Sequence, residues 1–283
     1  MKRVLHISDL HFGRIHPPAI KSLEQFLQND SLKLDLIIMT GDWTQRARRA
    51  QYQAAADFIK KMPVPVITIP GNHDIPLYNF LSRLVQPLAN YNRFIRNLTK
   101  DIFQDPELSV VGFRTATSIR TVEGRILKSD ILRAEKIFAE ANPHALRIIA
   151  CHHPIFVPNV ISQIQPKSFI QKLLNLRPHV ILSGHSHLNW IELVNPGTDQ
   201  EILHISAGSA TSNRLRGEEN NFHVLEIDGR TMKIETYFLG ESGFITREDH
   251  ASRKIDFYAG GQTETTEGPP IKKAPENSGA FKS

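Results

Sequence analysis

Short apolar runs recur along the chain, and several of them stop abruptly at a small group of polar residues. Val4 to Ser8, Leu34 to Thr40 and Val64 to Pro70 read as buried strands. Between the first two, Pro17-Pro18 opens a helix whose Leu23, Phe26 and Leu27 mark an apolar face. Gln45 to Lys61 is a polar helical stretch with Tyr52, Ala55, Ala56 and Ile59 at helical spacing. This alternation of strand and helix predicts an α/β sheet. Ile75 to Lys100 is mostly helical in pattern and broken near Pro87, with Leu77, Phe80, Leu81, Leu84, Leu88, Tyr91 and Phe94 as its apolar positions. Leu108 to Phe113 returns to strand, Ser129 caps a helix over Asp130 to Ala141, and Leu146 to Cys151 and His179 to Ser183 are two further strands. Trp190–Val194, Glu201–Ser206, His223–Ile227 and Met232–Phe238 then follow as strands, with turns at Asn195-Pro196-Gly197 and Asp228-Gly229. From about Ala259 onward periodicity disappears. The pattern predicts one domain over 1–250, a helical cap or insert within 75–145, and a disordered tail over 251–283.

The 283 residues are 40% hydrophobic and 22% charged, enough to bury the core of one large α/β domain or of two small ones. A formal charge of +5 suits anionic substrates but is too dispersed to argue for nucleic acid. No basic groove interleaved with aromatics is legible, which disfavours a nuclease. The single cysteine, Cys151, excludes an internal disulfide framework and reads as a small core residue. No apolar run reaches the roughly 18–20 residues that span a bilayer. Met1-Lys2-Arg3 enters a strand at once, without the apolar stretch of a signal peptide, so the cytoplasm is the expected compartment.

The polar strand ends carry the chemistry. Asp9-Leu10-His11, Gly41-Asp42, Gly71-Asn72-His73-Asp74, His152-His153-Pro154 and Gly184-His185-Ser186-His187 each follow a strand-like run. Carboxyl ends of strands in an open α/β sheet share one edge, so these groups converge. Gly71 is expected to let the backbone turn sharply. Imidazole and carboxylate oxygen without thiolate suit Mn, Fe, Zn, Co or Ni rather than Ca or Mg. The donors are too many for one ion and about right for two. A pair about 3.5–4 Å apart, sharing a carboxylate, lowers the pKa of a bound water toward about 7 and stabilises charge on phosphoryl oxygens. Alternation places His153 opposite His152 and outside the ligand set. His6, His16, His144, His179, His204, His223 and His250 belong to no motif and are expected to be structural or surface residues. Arg46, Arg48 and Arg49 are expected on a solvated helix near the mouth. The small-residue segment Gly208 to Gly217 fits a loop reaching back over the site, with Arg214 and Arg216 available to a substrate phosphate.

Together these motifs, in this order over Met1 to Leu239, resemble the calcineurin-like metallophosphoesterases. The resemblance implies a four-layer α/β/β/α sandwich of two mixed β-sheets flanked by helices. It implies that Asp9, His11 and His187 hold one metal ion and that Asn72, His152 and His185 hold a second, with Asp42 bridging. Mn, Fe or Zn are the expected ions. His73 matches the family's non-ligand histidine, which protonates the leaving oxygen or stabilises the transition state, and Asp74 would orient it. Trp43 stands where an aliphatic residue is more usual and would wall the cleft. The compact layout is similar to bacterial class III cyclic-nucleotide phosphodiesterases, which implies a small anionic phosphodiester as substrate. Two alternatives are a UDP-2,3-diacylglucosamine pyrophosphatase of lipid A synthesis, whose acyl chains an apolar cap would serve, and a non-catalytic scaffold of the same fold. A lipid substrate would bring peripheral membrane contact.

Overall fold

In a computed structural model, residues 1–119, 124–156, 167–194, 201–247, 250, 252–258 and 261–265 are described. The strands in chain order are β1 (Lys2–Ile7), β2 (Leu36–Met39), β3 (Val66–Thr68), β4 (Ile102–Gln104), β5 (Leu108–Phe113), β6 (Leu146–Cys151) and β7 (Val180–Ser183). They continue as β8 (Trp190–Val194), β9 (Ile202–Ser206), β10 (Asn221–Asp228), β11 (Thr231–Gly240), β12 (Gly243–Ile245), β13 (Arg253–Tyr258) and β14 (Gly261–Thr265). The helices are α1 (Pro17–Leu27), α2 (Arg49–Ile59), α3 (Phe80–Val85), α4 (Ala89–Tyr91), α5 (Lys128–Glu140) and α6 (Lys167–Asn175).

Two mixed sheets face each other. One has the order β14-β13-β11-β10-β1-β2-β3, with β12 paired to β11; the other runs β4-β5-β6-β7-β9-β8. In the first, β1, β2 and β3 are parallel neighbours, and in the second β5, β6, β7 and β9 are. Strand alternation explains why the apolar runs are continuous: both faces of each central strand are buried. Val4, Leu36, Ile38, Val110, Ile148 and Leu182 meet between the sheets. Leu5, Ile37 and Met39 point outward onto Leu23, Tyr52 and Phe58 of α1 and α2. Val111, Ile149 and Ile181 do the same onto Ile131, Phe138 and Leu173 of α5 and α6. The result is the expected sandwich of helices, sheet, sheet and helices.

Several local expectations change. Helix α5 begins at Lys128 after the extended residue Leu127, so Ser129 lies in its first turn and is not its cap. The carboxylate of Asp130 instead accepts the Arg114 N–H at 3.0 Å. Within 75–145, β4 and β5 are built into the second sheet and α5 into its helical layer, so among the described residues the helices outside that sheet and its layer fall in the stretch up to about Lys100. That stretch is two short helices and a π-helical turn, Asn92–Arg96. Part of the expected disordered tail is ordered: β13 pairs with β11, and its Ile255 and Phe257 enter the core between the sheets. The turn placed at Asn195-Pro196-Gly197 and residues 266–283 lie outside the described residues. No described helix is long and apolar enough to cross a membrane.

Candidate metal centre

Parallel pairing brings the ends of β1, β2 and β3 to one edge, and the ends of β6 and β7 face them from the other sheet. Backbone bonds lock the ends together, with Asp9 N–H donating to the Gly41 carbonyl at 3.1 Å and His11 N–H to the Asp42 carbonyl at 3.0 Å. Asp9, His11, Asp42, His185 and His187 all take left-handed backbone angles, with φ between 52° and 67°. Asp and His tolerate this region better than most L residues, but it still costs on the order of 1–3 kcal/mol each. The bend at β1 lets Asp9 and His11 enter the mouth while Leu10 between them packs into the core. Gly71 and Gly184 are needed for close approach. A Cβ on Gly71 would collide with the Asp42 carboxylate, and one on Gly184 with Ser8 and Asp9. The expectation that Gly71 supplies a sharp turn is therefore corrected: its φ of −96° is open to any residue.

The donors form two groups that share a carboxylate. In the first, Nε2 of His11 and Nε2 of His187 are 3.1 Å apart, and Asp9 Oδ1 lies 3.4 and 3.1 Å from them. In the second, Asn72 Oδ1 lies 3.0 Å from His152 Nε2 and 3.1 Å from His185 Nδ1. Asp42 Oδ2 stands between the groups, 3.7 Å from His11 Nε2 and 3.4 Å from His152 Nε2. The far nitrogens of two rings are committed elsewhere: His152 Nδ1 donates to the Thr40 carbonyl at 2.7 Å and His187 Nδ1 to that of Arg214 at 2.6 Å. In the neutral rings these bonds fix tautomers whose Nε2 lone pairs point into the mouth. Asp9 Oδ2 accepts from Ser8 Oγ at 2.6 Å and from the His185 N–H at 2.9 Å, while Asp42 Oδ1 accepts the His73 N–H at 2.9 Å. The inward oxygens, Asp9 Oδ1 and Asp42 Oδ2, are buried without a hydrogen-bond donor. Buried carboxylate oxygens facing imidazole lone pairs are costly unless a cation lies between them. The donor set therefore fits two metal ions, with ligand atoms of Asp9, His11 and His187, and of Asp9, Asp42 and His152, within 4.8 Å of one another.

The titration behaviour reflects the same crowding. Burial would raise Asp9, but the His187 and His11 rings outweigh it and hold the carboxyl well below the usual carboxylate range. Burial works against charge on His152, yet the Asp42 carboxylate overcomes it and raises the ring to about 9. His185, buried and beside His152, is pushed down to about 3.

His73 stands at the rim. Its Nδ1 donates to the Gln45 carbonyl at 2.9 Å, which leaves Nε2 to accept from Arg214 Nη1 at 2.9 Å. Burial lowers its pKa, helped by the charges of Arg214 and His152, and outweighs the opposing pull of the Asp42 carboxylate and the Gln45 carbonyl. Its imidazole is within ligand reach of His11 and Asp42, but a guanidinium in contact with Nε2 disfavours a cation there. Asp74 does not orient this ring. Its carboxylate accepts the N–H groups of Trp43, Thr44 and Gly71 at 3.2, 2.9 and 3.0 Å, tying the Asp42 loop to the Asn72 turn. Trp43 does not wall the cleft: it is fully buried, with Nε1 donating to Thr68 Oγ1 at 2.8 Å.

The loop after β9 does reach back. Ser209 Oγ donates to the Asp9 carbonyl at 2.7 Å and Thr211 Oγ1 to that of Leu10 at 2.9 Å, which carries Arg214 to His73. Arg216 lies close enough to Arg214 to add to burial in lowering its pKa. Arg46, expected to be solvated, has Nη1 3.4 Å from His73 Nδ1. His153, left outside the ligand set, lies beside it: its ring centroid is 4.5 Å from that of His185, and Thr115 Oγ1 is 2.9 Å from its Nδ1. Adjacency to His152 was the only sequence signal for it. His6, His204 and His223 are fully buried among Thr40, Ser183 and Thr236 hydroxyls, as structural histidines.

Residues 2–189 match the family model for the calcineurin-like phosphoesterases. The chain is 26% identical over 217 residues to a probable cyclic nucleotide phosphodiesterase of Psychrobacter arcticus, covering 65% of this chain and 73% of that protein. It is 25% identical over 211 residues to the 3',5'-cyclic adenosine monophosphate phosphodiesterase of Escherichia coli K12, covering 66% and 72%. Among solved structures, a purple acid phosphatase from yellow lupin superposes with a TM-score of 0.63 at 12% identity, over 87% of this chain and 52% of the plant protein. GAP50 of Plasmodium does so with a TM-score of 0.54 at 15% identity, over 91% and 89%. These two share the fold. With the model matching about two thirds of its length and the buried Asp and His clusters at its strand ends, the chain belongs to the calcineurin-like phosphoesterase family.

Proposed function

We propose that the protein is a dinuclear metal-dependent phosphodiesterase acting on a cyclic nucleotide or a similar small diester. The observation that carries this reading is Asp42, whose unpartnered buried oxygen stands between His11 and His152 and so joins two donor groups. Asp9, His11 and His187 would hold one ion and Asn72, His152 and His185 the other, with Asp42 shared. Two ions held there would supply an activated water and neutralise charge on the phosphoryl oxygens. The chain's own residues do the rest. Arg214, with Arg216 behind it, draws the substrate phosphate to the rim by charge-assisted bonds. Once the phosphate engages the guanidinium, Nε2 of His73 is released and the added negative charge favours its protonation. Gln45 holds Nδ1, so the proton at Nε2 faces the leaving oxygen.

The relatives of about a quarter identity support the cyclic nucleotide as substrate. The test is a panel run on manganese-loaded protein: cyclic nucleotides, UDP-2,3-diacylglucosamine, glycerophosphodiesters and simple monoesters. The highest kcat/KM is expected with a 3',5'-cyclic nucleotide. Preference for the UDP-linked sugar would move the reading to the lipid-linked anhydride. Failure to turn over any of them with two ions bound would leave a scaffold.

A further inference from the structure

Helix α3 has its faces reversed. A surface helix ordinarily turns its apolar stripe to the core and its charges to water. Here Phe80, Leu81, Leu84 and Val85 share one side of the helix and are 71%, 73%, 52% and 68% exposed, whereas Arg83 is only 7% exposed. Arg83 is held inward: Nε donates to the Ser118 carbonyl at 2.6 Å and Nη1 to that of Pro76 at 3.1 Å. Asn79 caps the helix by accepting the Ser82 N–H at 2.9 Å. Specific polar bonds thus hold the outward apolar face in place, behind Tyr78, itself 78% exposed.

The patch rims the metal mouth. The Arg46 guanidinium lies 5.9 Å from the centre of the Tyr78 ring, and the same guanidinium contacts His73. An apolar face bordered by the Arg46 cation matches the interface of an anionic bilayer, where basic side chains meet lipid phosphates and apolar side chains enter the headgroup boundary. A six-residue helix is small for a protein interface, which takes about 20–30 residues a side. A second copy seated there would also crowd the rim of the mouth.

We propose that α3 and Tyr78 form a docking surface for an anionic lipid bilayer, which seats the mouth against the membrane. The inference is independent of which ester is cleaved, because vesicle binding is read without turnover. The test is co-sedimentation of the full chain with phosphatidylcholine vesicles and with vesicles containing one third phosphatidylglycerol, at low and high salt, for wild type and for Leu81→Asp/Leu84→Asp. Both side chains being exposed, the variant should fold, and near-UV circular dichroism together with hydrolysis of a soluble nitrophenyl diester checks that it has. Wild type should bind the phosphatidylglycerol vesicles and weaken with salt, and the variant should lose at least about tenfold in partitioning. Three results would overturn the proposal: no binding to vesicles at low salt, equal binding by the variant, or a solution dimer that the variant disperses while neither protein binds vesicles.

Discussion

Asp42 carries more of the arrangement than any other residue, because its two oxygens do different work. Oδ1 accepts the His73 N–H and fixes the Asn72 turn, while Oδ2 faces the mouth without a donor and, in the proposed reading, would serve both ions. The residue that follows this logic least visibly is His73. It neighbours a proposed ligand yet is steered by a backbone carbonyl 28 positions away in sequence, that of Gln45. His73→Ala should keep both metal ions and the fold. It should lose about 10²–10⁴ in rate on a diester with a poor alkoxide leaving group and much less on an activated nitrophenyl ester. Metal analysis and the two rates check this; equal losses on both substrates, or loss of an ion, would contradict the general-acid role. The identities of the clustered residues could be read from the sequence because each closes an apolar run. Their partners could not. Asp74 sits next to His73 in the chain, but the three N–H groups its carboxylate accepts come from Trp43, Thr44 and Gly71.

At the scale of elements, strands with both faces buried were legible because their apolar runs are continuous or nearly so, as in β2 and β7. The elements that escaped are short, as β4 and β12 are, sit at an edge, as β14 does, or carry a weak apolar pattern. Strand β13 reads Arg-Lys-Ile-Asp-Phe-Tyr, and its period-two signal rests on Ile255 and Phe257 alone. Those two nonetheless reach the core between the sheets, and Phe257 is 1% exposed. Phe257→Ala should cost about 3–5 kcal/mol by loss of burial and the cavity left behind. A thermal or urea unfolding curve measures it. A change within about 0.5 kcal/mol, as for an ordinary surface substitution, would mean that β13 does not pack as described. Helix α3 shows the opposite failure: its apolar positions were legible, but spacing alone does not say whether such a face turns inward or outward.

For the whole molecule, the buried histidines outside the metal centre set an acid limit. Burial pushes His204 down to about 3, and burial pushes His223 down to about 4. Unfolded, each would titrate near about 6.5 and bind a proton that the folded state refuses. A lowered folded pKa gives stability that is complete above the unfolded value and is lost as pH falls toward the folded one. With a chelator present, Tm should fall as pH drops from about 6.5 to about 4. A flat Tm over that window would show that these rings are protonated without cost. In the proposed reading, the two sheets bring their strand ends together to hold two ions around one shared carboxylate. The most direct test of that reading is a titration of chelator-stripped protein with manganese, following bound metal and diester hydrolysis together. Tight binding of two equivalents is expected, with the rate rising mainly as the second enters, and Asp42→Asn should fail to hold both. Full activity at one equivalent, or two tightly held ions in Asp42→Asn, would contradict it.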